Sequence, residues 1–167
     1  MSSLLDKIAE LEQKIVELKA EVEKEEKESK SMNKRWRGKD GDMYWFVQSN
    51  GILNCFYECH GYIDNFRYDT HNYFKTEEDA RRYASVLETE RQLKKFADEH
   101  NSEIDWSNNN QEKWHLYYNY SYYKIGISNH RWTKEARIIY FSSEEIAEQA
   151  IDEIGEEKIT EYLTYEW

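Results

Sequence analysis

The first 28 residues place apolar side chains at the spacing of a coiled coil. Residues 4–28 contain neither Gly nor Pro, and β-branched residues at one heptad position alternate with Leu at the other. This combination favours a parallel two-stranded coil, although the flanking charges leave parallel and antiparallel pairing open. We predict a coiled-coil dimerisation helix over residues 1–31, with a seam formed by Leu4, Ile8, Leu11, Ile15, Leu18 and Val22. The alternative is an amphipathic helix that packs on its own domain.

After a linker over residues 32–42, the pattern changes to short apolar and aromatic runs. Two such runs, 43–48 and 52–58, flank Asn50-Gly51, a dipeptide that readily takes the positive φ values of a tight hairpin turn. A third short strand is predicted near residues 72–75. Thr76 then caps a helix that begins at Glu77 and ends near His100, with three acids in its first turn.

The second half repeats this plan. Residues 140–147 match residues 73–80, and Trp114 opens an aromatic run as Trp45 does. We therefore predict an α+β fold for residues 43–167, with an antiparallel-sheet domain built from two related ββ(β)α units at about 43–100 and 112–156. Chance similarity of a common strand-to-helix junction is the alternative. Residues 101–111 form a polar loop, and residues 156–167 form a short helix or a last strand.

The charge is uneven along the chain. The formal net charge is −11, yet residues 143–167 carry nine acids against one base, whereas residues 32–142 carry 16 of each. This balance disfavours general nucleic-acid binding. No apolar stretch has the length of a membrane span, and the start lacks the pattern of a signal peptide, so we expect a cytosolic protein. Cys55 and Cys59 are then free thiols on one face of a strand.

Few residues have the spacing that catalysis or metal binding requires. No nucleophile turn, phosphate-binding glycine loop or paired His on a helix is present. Cys55, Cys59, His60 and His71 lie close in sequence but lack the turn spacing of a zinc site. Asp64 with His71 is one of many pairs that folding can bring together. We predict a protein without cofactor or metal that is not an enzyme.

Two segments suggest a binding surface instead. Residues 114–123 are so rich in Tyr and Trp that strand alternation leaves rings on both sides of a sheet, unless both sides are covered. The acidic C-terminal helix either imitates a row of phosphates or is a solvated face. The predicted partner-binding residues are Glu144, Glu145, Glu148, Asp152, Glu153, Tyr118, Tyr120 and Trp132.

A different class of function is a sponge for a cyclic nucleotide second messenger. Aromatic rings beside basic side chains can stack on a base and hold its phosphate. For this alternative we assign nucleotide binding to Trp36, Arg37 and Arg131, together with the rings named above. A structural or assembly factor is a third possibility.

Several stretches resemble small accessory proteins of phages and prophages of Gram-positive bacteria. The stretches are Trp36, Tyr44-Trp45-Phe46-Val47 with Asn50-Gly51, residues 64–68, residues 72–80 and Lys113-Trp114. His71 stands where Gly is expected before Asn72. The resemblance implies a phage-encoded inhibitor, of the anti-CRISPR or another anti-defence type, that acts in the bacterial host cytosol. Its expected partners are a second copy of itself, through residues 4–28, and a host defence protein, with no membrane.

Overall fold

The computed structural model describes residues 11–15, 19 and 35–166. They divide into two units, one ending at Arg37 and one that spans Gly38–Trp167. In the first unit, residues 11–15 and 19 are helical, and Leu11 and Ile15 are 61% and 51% exposed. The other predicted heptad positions, Leu4, Ile8, Leu18 and Val22, lie outside the described residues.

The second unit is an α+β fold with antiparallel sheets. Its first half contains strands β1 (Met43–Val47) and β2 (Leu53–Tyr57), helix α1 (Tyr62–Asp69) and helix α2 (Glu77–His100). Its second half contains β3 (Lys113–Asn119), β4 (Lys124–His130), β5 (Tyr140–Phe141), α3 (Glu144–Ile154) and α4 (Glu156–Thr164). Among the described strands, β1 and β2 form one sheet, and the order β4-β3-β5 forms the other.

The predicted hairpin around Asn50-Gly51 is confirmed. β1 and β2 pair antiparallel from Met43↔Tyr57 to Val47↔Leu53, and Gly51 takes a φ of +85°. The predicted third strand is a single bridge instead, in which Phe74 pairs with Trp45. Cys59 lies beyond the end of β2, so the two cysteines do not share a strand face, although both thiols are free.

The α1 helix was not predicted from the sequence. It lies over one face of the β1–β2 sheet, where the Arg67 guanidinium stands 3.4 Å from the centre of the Phe46 ring. The other face meets α2, since Phe74, the partner of Trp45, contacts the ring of Tyr83. Helices therefore pack on both faces of the first sheet, while Phe56 and Tyr57 of β2 remain exposed.

The α2 helix is confirmed over its predicted length, and it connects the two halves. The Thr76 hydroxyl accepts a hydrogen bond from the Asp79 N–H, which satisfies one of the free amides of the first turn. Near its other end, α2 enters a core formed with the second sheet and with α3 and α4. The buried members of this core are Leu93, Phe96, Ala97, Leu116, Phe141, Ala147, Ala150 and Ile159.

The C-terminal residues form a helix, α4, rather than a strand. Gly155 separates α4 from α3 with a φ of +101°, a conformation that strongly favours Gly. The acidic residues from Glu144 to Glu157 therefore lie on two helices and not on one. Within the described residues, no helix combines the length and the apolar character needed to cross a bilayer.

Candidate functional site

The turn between β3 and β4 carries the most exposed cluster of aromatic side chains in the second half. Tyr120, Tyr122 and Tyr123 are 67%, 74% and 79% exposed. The Asn119 side chain accepts hydrogen bonds from the N–H groups of Ser121 and Tyr122, at 3.0 and 3.2 Å. We call Tyr120–Tyr123 the tyrosine turn. It presents three large rings from a backbone that the Asn119 side chain holds in place.

Tyr118 extends this aromatic surface into the strand. Its ring meets the Tyr120 ring edge to face, with 5.0 Å between the ring centres. Tyrosine buries a large area and loses little conformational entropy, because its side chain has few rotatable bonds. It is therefore frequent at protein interfaces. The predicted residues Tyr118 and Tyr120 therefore lie together, and Tyr122 and Tyr123, which the prediction did not include, complete the surface.

Trp132 is exposed but stands at the opposite end of the hairpin. Lys113 pairs with His130 at one end of the β3–β4 ladder, and Asn119 pairs with Lys124 at the tyrosine turn. Because a strand rises about 3.4 Å per residue, Trp132 and Tyr120 are separated by roughly 20 Å. The predicted aromatic residues thus form two separate sites.

The five predicted acidic residues all lie on the exposed side of α3. The opposite side of α3 buries Ala147 and Ala150 in the core, while Ser143 caps its first turn. The pKa of Glu145 is lowered by hydrogen bonds from its own N–H and from the Ser143 side chain. No described residue makes an ion pair with any member of this group, which we call the acidic stripe: Glu144, Glu145, Glu148, Asp152 and Glu153.

The position of two stripe residues is unfavourable for the helix itself. Asp152 and Glu153 lie in the last turn of α3, where the helix dipole favours cations and disfavours acids, and no base lies in that turn. Glu156 and Glu157 follow at once in the first turn of α4. Four carboxylates within six residues repel one another, and this repulsion lowers the stability of the fold.

The residues of the nucleotide alternative, Trp36, Arg37 and Arg131, are divided between the two units of the structure. Arg131 donates a hydrogen bond to the Glu112 carboxylate at 2.5 Å, so its guanidinium is already engaged. Trp36 and Arg37 belong to the first unit and are half-buried.

A buried network of tyrosines and carboxylates joins α1 to the first sheet. The Asp64 carboxylate accepts hydrogen bonds from the Tyr44 hydroxyl at 2.7 Å, the Cys59 N–H at 3.1 Å, the Cys59 thiol at 3.0 Å and the Gly61 N–H at 3.1 Å. Arg67 donates to the Tyr44 hydroxyl at 2.7 Å. Asp64 therefore bonds to Tyr44, Cys59 and Gly61, whereas the His71 ring lies near the Asp69 carbonyl.

The electrostatics of this network follow from its contacts. Burial by itself raises the pKa of Asp64, but the donors of Tyr44, Cys59 and Gly61 outweigh it and lower the pKa to about 2. Burial and the bond to Asp64 raise the pKa of Tyr44 to about 12. The proton therefore stays on the phenol and the charge stays on the carboxylate, which is the arrangement of a structural bond.

A second carboxylate is buried beside the first. The Tyr73 hydroxyl donates to the Glu58 carboxylate at 2.6 Å, and the His60 N–H donates to it at 2.7 Å. The rings of Tyr44 and Tyr73 stack with their centres 4.0 Å apart. The carboxylates of Asp64 and Glu58 both accept hydrogen bonds from groups within the fold, and both residues are about 1% exposed.

A histidine cluster lies on the outer face of the second sheet. His115 is 7% exposed, its ring centre lies 4.5 Å from that of His130, and its Nδ1 atom has no hydrogen-bond partner among the described residues. Burial and the neighbouring His130 lower the pKa of His115, against an opposing effect of Glu135. Among described residues, no group of three or more His, Cys, Asp or Glu side chains has the geometry to hold a metal ion.

We expect this cluster to make the chain sensitive to acid. Because folding lowers the pKa of His115, its neutral form contributes stability that is complete above the unfolded value of about 6.5 and is lost as the pH falls below it. Urea unfolding at pH 7.5, 6.5 and 5.5 should show this decline. The slope should be smaller in His115→Gln and unchanged in His71→Gln, since His71 is exposed. Equal slopes in all three proteins would contradict the assignment.

Comparison with known proteins finds no significant match. No protein-family model matches the chain, and neither the curated proteins nor the solved structures show significant similarity to it. The fold class is α+β, with two small antiparallel sheets in the part of the chain that the structure describes.

Proposed function

We propose that this chain is a non-enzymatic binding protein that covers a basic surface of a partner protein. The observation that carries the proposal is the tyrosine turn, in which three rings are each at least 67% exposed on a backbone held by Asn119. Exposed aromatic clusters of this kind supply the central contacts of protein interfaces. The acidic stripe adds long-range attraction to a positively charged partner.

The chemistry of the partner follows from the charge of the stripe. Carboxylates that are spaced along a helix, and that make no ion pair with another described residue, match a surface that binds phosphate groups. A nucleic-acid-binding groove of another protein has that character. Together with the resemblance to phage accessory proteins, this supports an inhibitor that occupies such a groove on a bacterial defence protein in the host cytosol.

The chain's own architecture supports two further parts of the proposal. Leu11 and Ile15 are helical and more than half exposed, which suits a dimeric coil over residues 1–31. The two halves are proposed to be related units, because Trp45 pairs with Phe74 just as Trp114 pairs with Phe141. In both halves a Thr or Ser then caps the following helix.

Capture from a bacterial lysate tests this function. The full chain, immobilised and incubated with nuclease-treated lysate, should retain a nucleic-acid-binding protein that added double-stranded DNA displaces. Tyr120→Ser/Tyr122→Ser/Tyr123→Ser should weaken retention at least tenfold, because truncating central aromatic contacts costs more than about 1 kcal/mol each.

Tyr62→Ser is the matched control, since Tyr62 is 83% exposed on α1, outside the tyrosine turn. It should retain the same protein as the unmodified chain. Recovery of chaperones alone, or equal retention by both variants, would contradict the proposal.

A further inference from the structure

The hydrogen bonds of β1 determine which backbone N–H and carbonyl groups of β2 point away from the hairpin. Trp45 donates its N–H to the Phe74 carbonyl and accepts from the Phe74 N–H, both at 2.8 Å, so its backbone points away from β2. Its partner across the hairpin, Cys55, then directs its own backbone away from β1. By the same alternation, so do Leu53 and Tyr57. No described strand pairs with this edge.

One donor on that edge is satisfied locally. The Cys55 N–H bonds to the Asn54 side-chain oxygen at 2.8 Å. The N–H and carbonyl groups of Leu53 and Tyr57 and the carbonyl of Cys55 make no hydrogen bond with another described residue. An unpaired edge of this kind is a template for an added strand.

An apolar flank lies beside the same edge. Phe56 shares a sheet face with Tyr44 and Phe46, and the Arg67 guanidinium lies 5.8 Å from its ring centre. Ile63 lies four residues before Arg67 and therefore on nearly the same side of α1, and Phe66 is the residue next to Arg67. Phe56, Ile63 and Phe66 are 52%, 58% and 56% exposed, and we call them the edge flank.

We infer that a second copy of this chain docks on the β2 edge, with the two β2 strands antiparallel about a two-fold axis at Cys55. In this register Leu53 of each copy faces Tyr57 of the other, so the free donors of each meet the free acceptors of its partner. The edge flanks then meet across the axis. The two first sheets become one continuous sheet.

Charge allows a second copy here and not at the acidic stripe. Between residues 38 and 76 the charged side chains that are not buried are three acids and three bases, because Glu58 and Asp64 are buried. The acids are Asp40, Asp42 and Asp69, and the bases are Lys39, Arg67 and Lys75. Two copies of a balanced surface approach without net repulsion, whereas two copies of the stripe repel.

The contact is small. The three flank side chains expose roughly 300 Å² of apolar surface per copy. With the backbone edge added, the two copies bury under about 1,200 Å², the size of a weak association. We expect a dimer that forms and dissociates over the micromolar range of concentration.

Sedimentation equilibrium on full-length variants from about 1 to 300 µM tests this contact separately from the proposed coil. The variant Leu11→Lys/Ile15→Lys disrupts the heptad seam and should retain a concentration-dependent dimer. Adding Ile63→Glu/Phe66→Glu should weaken that dimer at least tenfold, whereas adding Tyr122→Glu/Tyr123→Glu should leave it unchanged. Adding Asn54→Ala should tighten it by about fivefold or more, because it frees the Cys55 N–H of each copy for the partner strand.

Hydrogen exchange at Leu53 and Tyr57 distinguishes the possible occupants of the edge. Protection that rises with protein concentration supports the second copy. A heptad variant that stays monomeric at 300 µM with rapid exchange at both amides overturns the inference. Protection that is complete in a monomer also overturns it, because the edge is then covered by the chain itself.

Discussion

Replacing Asp64 by alanine is expected to lower the free energy of unfolding by about 3–4 kcal/mol. The Asp64 carboxylate is 1% exposed and accepts four hydrogen bonds from three residues. Its removal leaves the Tyr44 hydroxyl and two backbone N–H groups without their acceptor in a largely buried site, and such losses dominate the cost of breaking a buried polar network. Urea unfolding followed by tryptophan fluorescence measures the difference.

The control for this variant lies on the same helix. Asp69→Ala removes an exposed carboxylate of α1 and should change the free energy of unfolding by less than about 0.5 kcal/mol. If both variants are equally stable, Asp64 does not hold α1 in place.

The same carboxylate sets a limit in acid. Because folding lowers the pKa of Asp64 to about 2, its contribution is complete above the unfolded value of about 3.9 and is lost as the pH falls toward 2. The lowered pKa of Asp64 corresponds to about 2.5 kcal/mol of stability. The unmodified chain should therefore lose stability between pH 4 and 2 more steeply than Asp64→Asn, which has no charge to lose there.

The α1 helix shows why part of the fold was not predictable from sequence. The hairpin and α2 have local determinants, namely Asn50-Gly51 and the Thr76 cap. The apolar residues Tyr62, Ile63 and Phe66 have the spacing of a helix, but all three side chains remain exposed, so they do not mark a side of α1 that faces the core. What holds α1 is a set of tertiary bonds from Asp64 and Arg67 to Tyr44, which lies 20 or more residues away. The local cue was Asp64, three residues after Gly61, where it caps the helix.

The candidate site was predictable in composition but not in arrangement. The excess of tyrosine in residues 114–123 predicted exposed rings through strand alternation, whereas the most exposed rings lie in the turn, because β3 ends at Asn119. The turn at Tyr120–Tyr123 decides which rings are exposed, and the length of the β3–β4 ladder separates Trp132 from them. Likewise the acids of residues 144–157 were evident, whereas the break at Gly155 depends on a positive φ that few residues other than Gly adopt.

Neutralising the acidic stripe is expected to weaken partner binding and to stabilise the fold at the same time. In Glu148→Gln/Asp152→Asn/Glu153→Gln, the helix loses acids that the dipole of α3 disfavours in its last turn and that repel Glu156 and Glu157. The free energy of unfolding should rise by about 0.5–1 kcal/mol. Affinity for the captured partner should fall about a hundredfold at low salt, since charge complementarity acts most strongly there.

The salt dependence decides between a binding surface and a merely solvated one. Because mobile ions screen exposed charges, the affinities of the variant and the unmodified chain should converge as salt is raised toward 1 M. Glu88→Gln/Asp98→Asn/Glu99→Gln makes the same change in net charge on the exposed side of α2 and should leave affinity nearly unchanged. If the α2 variant binds as weakly as the α3 variant, only the net charge matters and the stripe has no specific role. If the α3 variant gains stability while binding as tightly as before, the stripe is a solvated face, and the tyrosine turn alone makes the contact.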